Sequence, residues 1–238
     1  MTVDEARLVG SLQRDGFAVW PGFATGDMLD RLSDAVRQTL TGEHARRFPK
    51  STRAFDLYLL NDTFVELVSD VRLAGVLDAV LGAGHLLSDL SLNSVDRDQP
   101  IDEWHIDYPF TEMHTMLPGG IVALQCVLAM TAFTRTNGAT RLRPGTHRHP
   151  RPPEDVSDEP VLFEAEPGTL LLMAAATWHR SGCNAGPHHR DAILLSFVER
   201  WIKPMSAPTE GLVDPVPDRL AALLGIVRPA ETINGVPI

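Results

Sequence analysis

His105 and Asp107 stand two apart in "IDEWHIDYPF", residues 101–110. In a strand, positions i and i+2 project to one face, so this imidazole and carboxylate are expected to share a space while Trp104, Ile106 and Tyr108 point away. In a chain with nine histidines the pair means little alone. A partner for it comes from "TWHRSGCNAGPHHRDAILLSF", which offers His179 after an apolar run and Arg190 at the start of the next one. Two histidines and a carboxylate on one face of a non-haem Fe(II) leave open positions for a bidentate co-substrate and then dioxygen. Arg190 suits the countercharge, because a guanidinium grips a carboxylate through two parallel hydrogen bonds. Other readings stay open: the same side chains suit a zinc ion that activates water for hydrolysis, or polar strand residues in a non-catalytic small-molecule-binding barrel. Arg190 could equally be half of a surface salt bridge with Asp191 or Glu199, which stabilises little.

Elements that would position these residues follow from periodicity. The first eighty or so residues read as helical and the rest as strands and loops, an α+β pattern, mainly β, with helices flanking a sheet. "DEARLVGSLQRDGF" spaces Leu8 and Leu12 as a helix and stops at Gly16, a residue suited to a left-handed cap. In "ATGDMLDRLSDAVRQTL" the apolar stripe is Met28, Leu29, Leu32, Val36 and Leu40. "TFVELVSDVRLAGVLDAVLG" encodes one helix or two short ones, with Phe64, Leu67, Val68, Val71, Val76, Leu77 and Val80 buried and Gly82 and Gly84 as the stop. From "LLSDLSLNSV" onward, short apolar runs alternate with Pro, Gly and Asp, as strands and tight connections do. "GGIVALQCVLAMTAF" is apolar on both faces and reads as a central strand. Asn137-Gly138 signals a hairpin leading into a strand ended by Pro-Gly, and "RPPEDVSDEP" reads as a solvated loop. "PGTLLLMAAATWH" and "RDAILLSFVERW" complete the strands, and "DRLAALLG" is a helix candidate in the proline-rich tail.

The 238 residues are expected to form a single domain: 1–85 as mostly helical support, 86–201 as the sheet core and 202–238 as a C-terminal tail. A formal charge of -10 disfavours nucleic acid, whose phosphates recruit clustered Lys and Arg, so a small-molecule partner is expected. The longest apolar run is too short to span a membrane, Cys126 and Cys183 are too few for a disulfide framework, and no signal peptide is visible. A reducing cytoplasm is therefore the expected location. Both cysteines read as small buried residues. His147, His149, His188 and His189 read as solvated loop or strand-flanking residues, and Trp104, Tyr108, Phe110 and Trp178 as core or pocket lining. Neither Arg141 and Arg143 nor any other feature identifies a substrate or an oligomeric state.

The ordered series of His-x-Asp, Asn-Gly before "PGTH", then "HRSGCN" and Arg190 resembles the phytanoyl-CoA dioxygenase family of Fe(II)/2-oxoglutarate-dependent oxygenases. The resemblance extends from "RDGFAVWPGF" through "VLDAVLGAG" to the last strand. It implies a double-stranded β-helix, the cupin-like jelly roll, with N-terminal helices flanking one sheet. It also implies Fe(II), 2-oxoglutarate and O2 as cofactor and co-substrates, and hydroxylation of a C–H bond of a small molecule, with natural-product tailoring as one such setting, and release of succinate and CO2. Desaturation, cyclisation and epimerisation begin from the same hydrogen removal. By resemblance, His105, Asp107 and His179 match the iron ligands, Arg190 the anchor of the distal 2-oxoglutarate carboxylate and Ser181 a hydroxyl contacting the same carboxylate. Thr140 occupies a position where related enzymes often place a co-substrate contact, Gln125 points inward if its strand takes the family's register, and alternation offers Asn93 as a further such contact. Where many relatives carry a glutamine three residues before the first ligand, this chain has Asp102, which a bound keto acid would repel unless it turns away or is paired. A carboxylate at Asp107, where halogenating relatives have a small residue, points to hydroxylation rather than halogenation.

Overall fold

A computed structural model describes residues 2–98, 103–114, 120–148, 159–206, 211–212, 215–226, 232–233 and 236–237. Helix α1 (Val3–Asp15) starts on a capping box, Thr2 Oγ1 accepting from the Glu5 amide, and stops at Gly16 with φ of 83°. That left-handed turn lies where a side chain has no room: a Cβ on Gly16 would sit 2.5 Å from His147 Nδ1. Strand β1 (Phe17–Trp20) follows, then α2 (Gly26–Thr41), the hairpin β2 (Arg46–Phe48) and β3 (Ser51–Ala54), and the short helices α3 (Asp62–Val68) and α4 (Val71–Leu81). The N-terminal third is therefore not helical throughout. Its three strands are short: β1 pairs with a strand more than 140 residues later, and the β2–β3 hairpin joins the sheet through β4, and periodicity over three or four residues cannot reveal that. Val71 is also corrected: it is 82% exposed at the first turn of α4, just after the Asp70 cap.

Strands β4 (Leu86–Val95), β5 (Ala123–Ala129), β8 (Leu170–Ala174) and β10 (Arg190–Val198) make the centre of a seven-stranded antiparallel sheet ordered β1-β8-β5-β10-β4-β3-β2. A second, smaller sheet has β6 (Arg141–Leu142) between β7 (Val161–Leu162) and β9 (His179–Arg180). The large sheet is buried on both faces, which explains why β5 and β8 read as continuous apolar runs. One face carries Leu90, Leu92, Leu124, Cys126, Leu128, Ile193, Leu195 and Phe197 against the helices. The other turns Val127, Leu171, Met173 and Ala192 toward the small sheet, where Phe133, Leu142 and Phe163 meet them. Burial of these side chains is worth about 1.5–3 kcal/mol each before entropy is subtracted. In the β4–β10 pairing the register slips once, between Ser196 and Phe197, and skips Ser88. This bulge lets Leu87 and Leu90 both face the helices while Asp89, Ser91, Asn93 and Val95 face the interior.

Asn137-Gly138 does not close a two-stranded hairpin. β5 and β6 lie in different sheets, and the turn carries the chain between them, with Asn137 bridging to Asn184. Helix α5 (Asp218–Leu223) packs Leu220 and Leu223 into the helix-side core. No helix among the described residues is long and apolar enough to cross a membrane.

Candidate metal centre

The segment holding His105 and Asp107 is not a strand, contrary to the expectation from their spacing. Only His105 makes a β-bridge, to His179, with each backbone amide donating to the other's carbonyl at 3.0 Å. The Asp107 amide donates to the Ala175 carbonyl at 2.8 Å. These three bonds tie the loop to the end of β8 and the start of β9, so backbone pairing brings the side chains together. Trp104 turns away as expected and is stacked by Arg180 and Arg143, 4.4 and 5.0 Å from its ring.

One ligand atom from each of His105, Asp107 and His179 lies within 4.8 Å of the others. His105 Nδ1 is 3.0 Å from the Glu103 carbonyl and His179 Nδ1 is 2.9 Å from that of Thr177. A carbonyl can only accept, so both rings carry their proton on Nδ1 and offer an Nε2 lone pair, the form that binds a metal. Asp107 Oδ2 is buried without a hydrogen-bond partner, 3.5 Å from His179 Nε2. Burial holds the His179 imidazolium below its ordinary range, outweighing the attraction of Asp107. The contact is thus not an ion pair. It is a neutral imidazole beside an unsatisfied carboxylate oxygen, a donor set that fits a divalent cation.

The cavity of about 420 Å³ containing these donors is also lined by Asn93, Gln125, Thr140, Ser181 and Arg190, so all eight residues singled out from sequence face one space. Arg190 is only 4% exposed, which removes the surface salt-bridge alternative. Its guanidinium lies 4.6 Å from the centre of the Phe133 ring, donates to the Gly138 carbonyl, and has Nη2 3.5 Å from Ser181 Oγ. Arg190 itself pairs with Val95 at the end of β4, and in the loop before it the buried Asn184 donates through Nδ2 to the carbonyls of Asp96 at 2.9 Å and His188 at 3.1 Å. The loop between β9 and β10 is thereby clamped to the end of β4. Asn184 was visible only as part of a motif, since no side-chain pattern marks a buried loop clamp.

Several lining residues were not anticipated: Lys50, Arg53, Phe55, Asp89, Ser91 and Met205. Asp89 and Ser91 follow from Asn93 by counting back in twos along β4, whereas Met205 comes from the tail and has no such signal. His147 is half-buried against Gly16 rather than solvated, and Cys183 is exposed rather than buried. His188 and His189 are exposed, as expected. His149 and Asp102 lie outside the described residues.

The family model for phytanoyl-CoA dioxygenase matches residues 12–192. "Dioxygenase trt7" of Aspergillus terreus is 25% identical over 224 residues, covering 87% of this chain and 77% of that protein. "Multifunctional dioxygenase prhA" of Penicillium brasilianum is 27% identical, covering 87% and 76%. Among solved structures, the non-heme alpha-ketoglutarate-dependent epimerase SnoN from nogalamycin biosynthesis superposes with a TM-score of 0.72 at 20% identity, covering 90% of this chain and 93% of that one. The carbocyclase SnoK, from the same biosynthesis, gives 0.67 at 15% identity and 84% coverage of each chain. These likenesses support the jelly-roll fold. With a matching model over most of its length and a His-Asp-His donor set in the barrel, the chain belongs to the phytanoyl-CoA dioxygenase family, whose members use Fe(II) and 2-oxoglutarate.

Proposed function

We propose that this protein hydroxylates a C–H bond of a small molecule, of the kind tailored in natural-product biosynthesis, at the expense of 2-oxoglutarate. The observation that carries this reading is the placement of the Arg190 guanidinium in the same cavity as the three metal-binding side chains. Fe(II) held by His105, Asp107 and His179 would supply oxidation of a C–H bond by dioxygen, with 2-oxoglutarate leaving as succinate and CO2.

The protein's own contribution is positional. Arg190 grips the distal carboxylate of the keto acid, and Ser181 adds a hydroxyl to the same group. Thr140, Asn93 and Gln125 provide polar contacts along the wall. Phe133 under the guanidinium keeps that end of the cavity dry, which strengthens the charge-assisted pair. A zinc hydrolase would have no use for a buried arginine aimed at a dicarboxylate, and a non-catalytic barrel no use for two histidines held in the metal-binding tautomer. The retained carboxylate of Asp107 supports hydroxylation over halogenation.

A turnover assay across a metabolite panel tests the reading. Succinate formation should require Fe(II), oxygen and 2-oxoglutarate together and should scale with loss of one panel compound and gain of a hydroxylated product. Substrate turnover that persists without 2-oxoglutarate or under nitrogen would refute it.

A further inference from the structure

Across the large sheet, Asp89 pairs with Ser196, Ser196 with Gln125, and Gln125 with Met173, so these residues form one row. Arg190 lies six residues along β10 from that row, about 20 Å at 3.3 Å per residue. Asp107 is tied by its amide to Ala175, two positions from Met173, so the metal donors belong to the Asp89 end of the barrel. The keto-acid anchor and Asp89 therefore stand at opposite ends of the cavity.

Asp89 is an expensive residue to keep in this place. Its carboxylate receives the Ser91 hydroxyl at 2.5 Å and makes no ion pair among the described residues. Arg53 is close but otherwise engaged: its Nε donates to Ser51 Oγ at 3.3 Å and its guanidinium lies 5.6 Å from the Phe48 ring. Burial pushes the Asp89 carboxyl above the ordinary range and the nearby charge of Asp56 adds to this, while the Ser91 hydrogen bond and Arg53 oppose it. A leucine would satisfy the fold with no such penalty. Phe55, Met205 and Leu194 give the same cavity an apolar part of its lining. Met205 is held over the opening because the residue skipped by the β4 bulge, Ser88, uses its hydroxyl to accept from the Met205 amide and its carbonyl to accept from that of Ser206, both at 3.0 Å. The Tyr108 hydroxyl donates to the Lys203 carbonyl and ties the same tail segment to the metal-binding loop.

We propose that Asp89, with Ser91 fixing its carboxylate and Phe55, Leu194 and Met205 lining the same cavity, is the specificity-determining residue for the substrate, accepting a hydrogen bond from an amine or hydroxyl on an otherwise apolar molecule. This rests on the function proposed above. Its chemistry is opposed to the alternative suggested by Lys50 and Arg53, which also line the cavity and would favour a carboxylate on the substrate.

The test uses octylamine, 1-octanol and octanoate, which share a chain and differ in the head group. Each is titrated by calorimetry into Fe(II)- and 2-oxoglutarate-loaded protein under anaerobic conditions. Octylamine should bind at least about tenfold more tightly than octanoate, with octanol between them, since a hydrogen bond to a charged partner carries that weight. Asp89→Leu should abolish the order, and Asp89→Asn should bring octylamine down to the level of octanol. The visible charge-transfer band of the iron-bound keto acid, retained in both variants, reports that fold and cofactor site survive. If Asp89→Leu does not fold, Asp89→Asn decides. Octanoate binding as tightly as octylamine to the wild type, or an order that persists in the variants, would overturn the proposal. Absence of the charge-transfer band in the wild type would overturn the function reading instead, and the head-group order would still decide the role of Asp89.

Discussion

Replacing Arg190 by alanine separates the role assigned to this side chain from a merely structural one. The guanidinium is 4% exposed, with Phe133 beneath it and Ser181 beside it, so a carboxylate paired with it meets little competing water. Each hydrogen bond to a charged group is worth about 1.5–3 kcal/mol, and a bidentate pair in this setting about 3–4 kcal/mol once the two bonds are allowed to overlap. At about 1.4 kcal/mol per factor of ten, the 2-oxoglutarate concentration for half-maximal succinate formation should rise roughly 100- to 1,000-fold. Maximal turnover at saturating 2-oxoglutarate should fall much less, because the three metal donors are untouched. Arg190→Lys keeps the charge and loses the fork, so it should lie between, near tenfold by the same scale. The assay is a 2-oxoglutarate titration read by succinate, with a thermal melt alongside, because loss of the guanidinium also removes a cation–π contact of about 1–2 kcal/mol. A folded Arg190→Ala protein with unchanged 2-oxoglutarate dependence would refute the reasoning.

Ser181→Ala should raise the same half-saturation value only severalfold, about 0.5–1.5 kcal/mol for one neutral hydrogen bond, with maximal turnover preserved. Gly168→Ala tests backbone strain: Gly168 has φ of 83°, and its Cβ would lie 2.0 Å from the Ala24 carbonyl oxygen. The left-handed backbone alone costs about 1–2 kcal/mol, so the melting temperature should fall by at least about 2 °C, checked by calorimetry. His85 is buried against Phe197 with Nδ1 3.3 Å from the Gly82 carbonyl, and burial lowers its pKa despite that carbonyl and Asp78. The unfolded chain binds this proton near pH 6.5 and the folded chain does not, so His85's contribution is complete above about pH 6.5 and is lost as pH falls below it. Urea titrations of His85→Leu across that range should show a flatter pH dependence than the wild type, and an unchanged slope would exclude the assignment.

Side-chain chemistry was more readable from the sequence than backbone geometry. His105, Asp107, His179 and Arg190 could be named because metal and carboxylate binding restrict residue types severely, and their order along the chain carries information even when their conformation is misjudged. The conformation differs from the pattern: i, i+2 alternation predicts a strand at His105 and Asp107, whereas a bridge to His179 and a bond to Ala175 set their geometry. Helices α1, α2 and α4 follow from apolar stripes because a 3.6-residue period persists over many residues. Strands β1 to β3 are too short for a period, and β1 and β3 take partners far along the chain, in β8 and β4. Asp89 was within reach of alternation from Asn93, but the bulge at Ser88 that limits how far this counting holds is not encoded by any turn residue. Met205 enters the cavity through the hydrogen bonds of its segment to Ser88, which no local pattern announces.

The proposed activity depends on three side chains holding one ferrous ion. Anaerobic reconstitution with Fe(II), followed by desalting and metal analysis, measures this directly. The wild type should retain one iron per chain, and His105→Ala and His179→Ala, shown to be folded by their melts, should retain essentially none. Wild-type protein that holds no iron, or folded variants that hold as much as the wild type, would contradict the central claim.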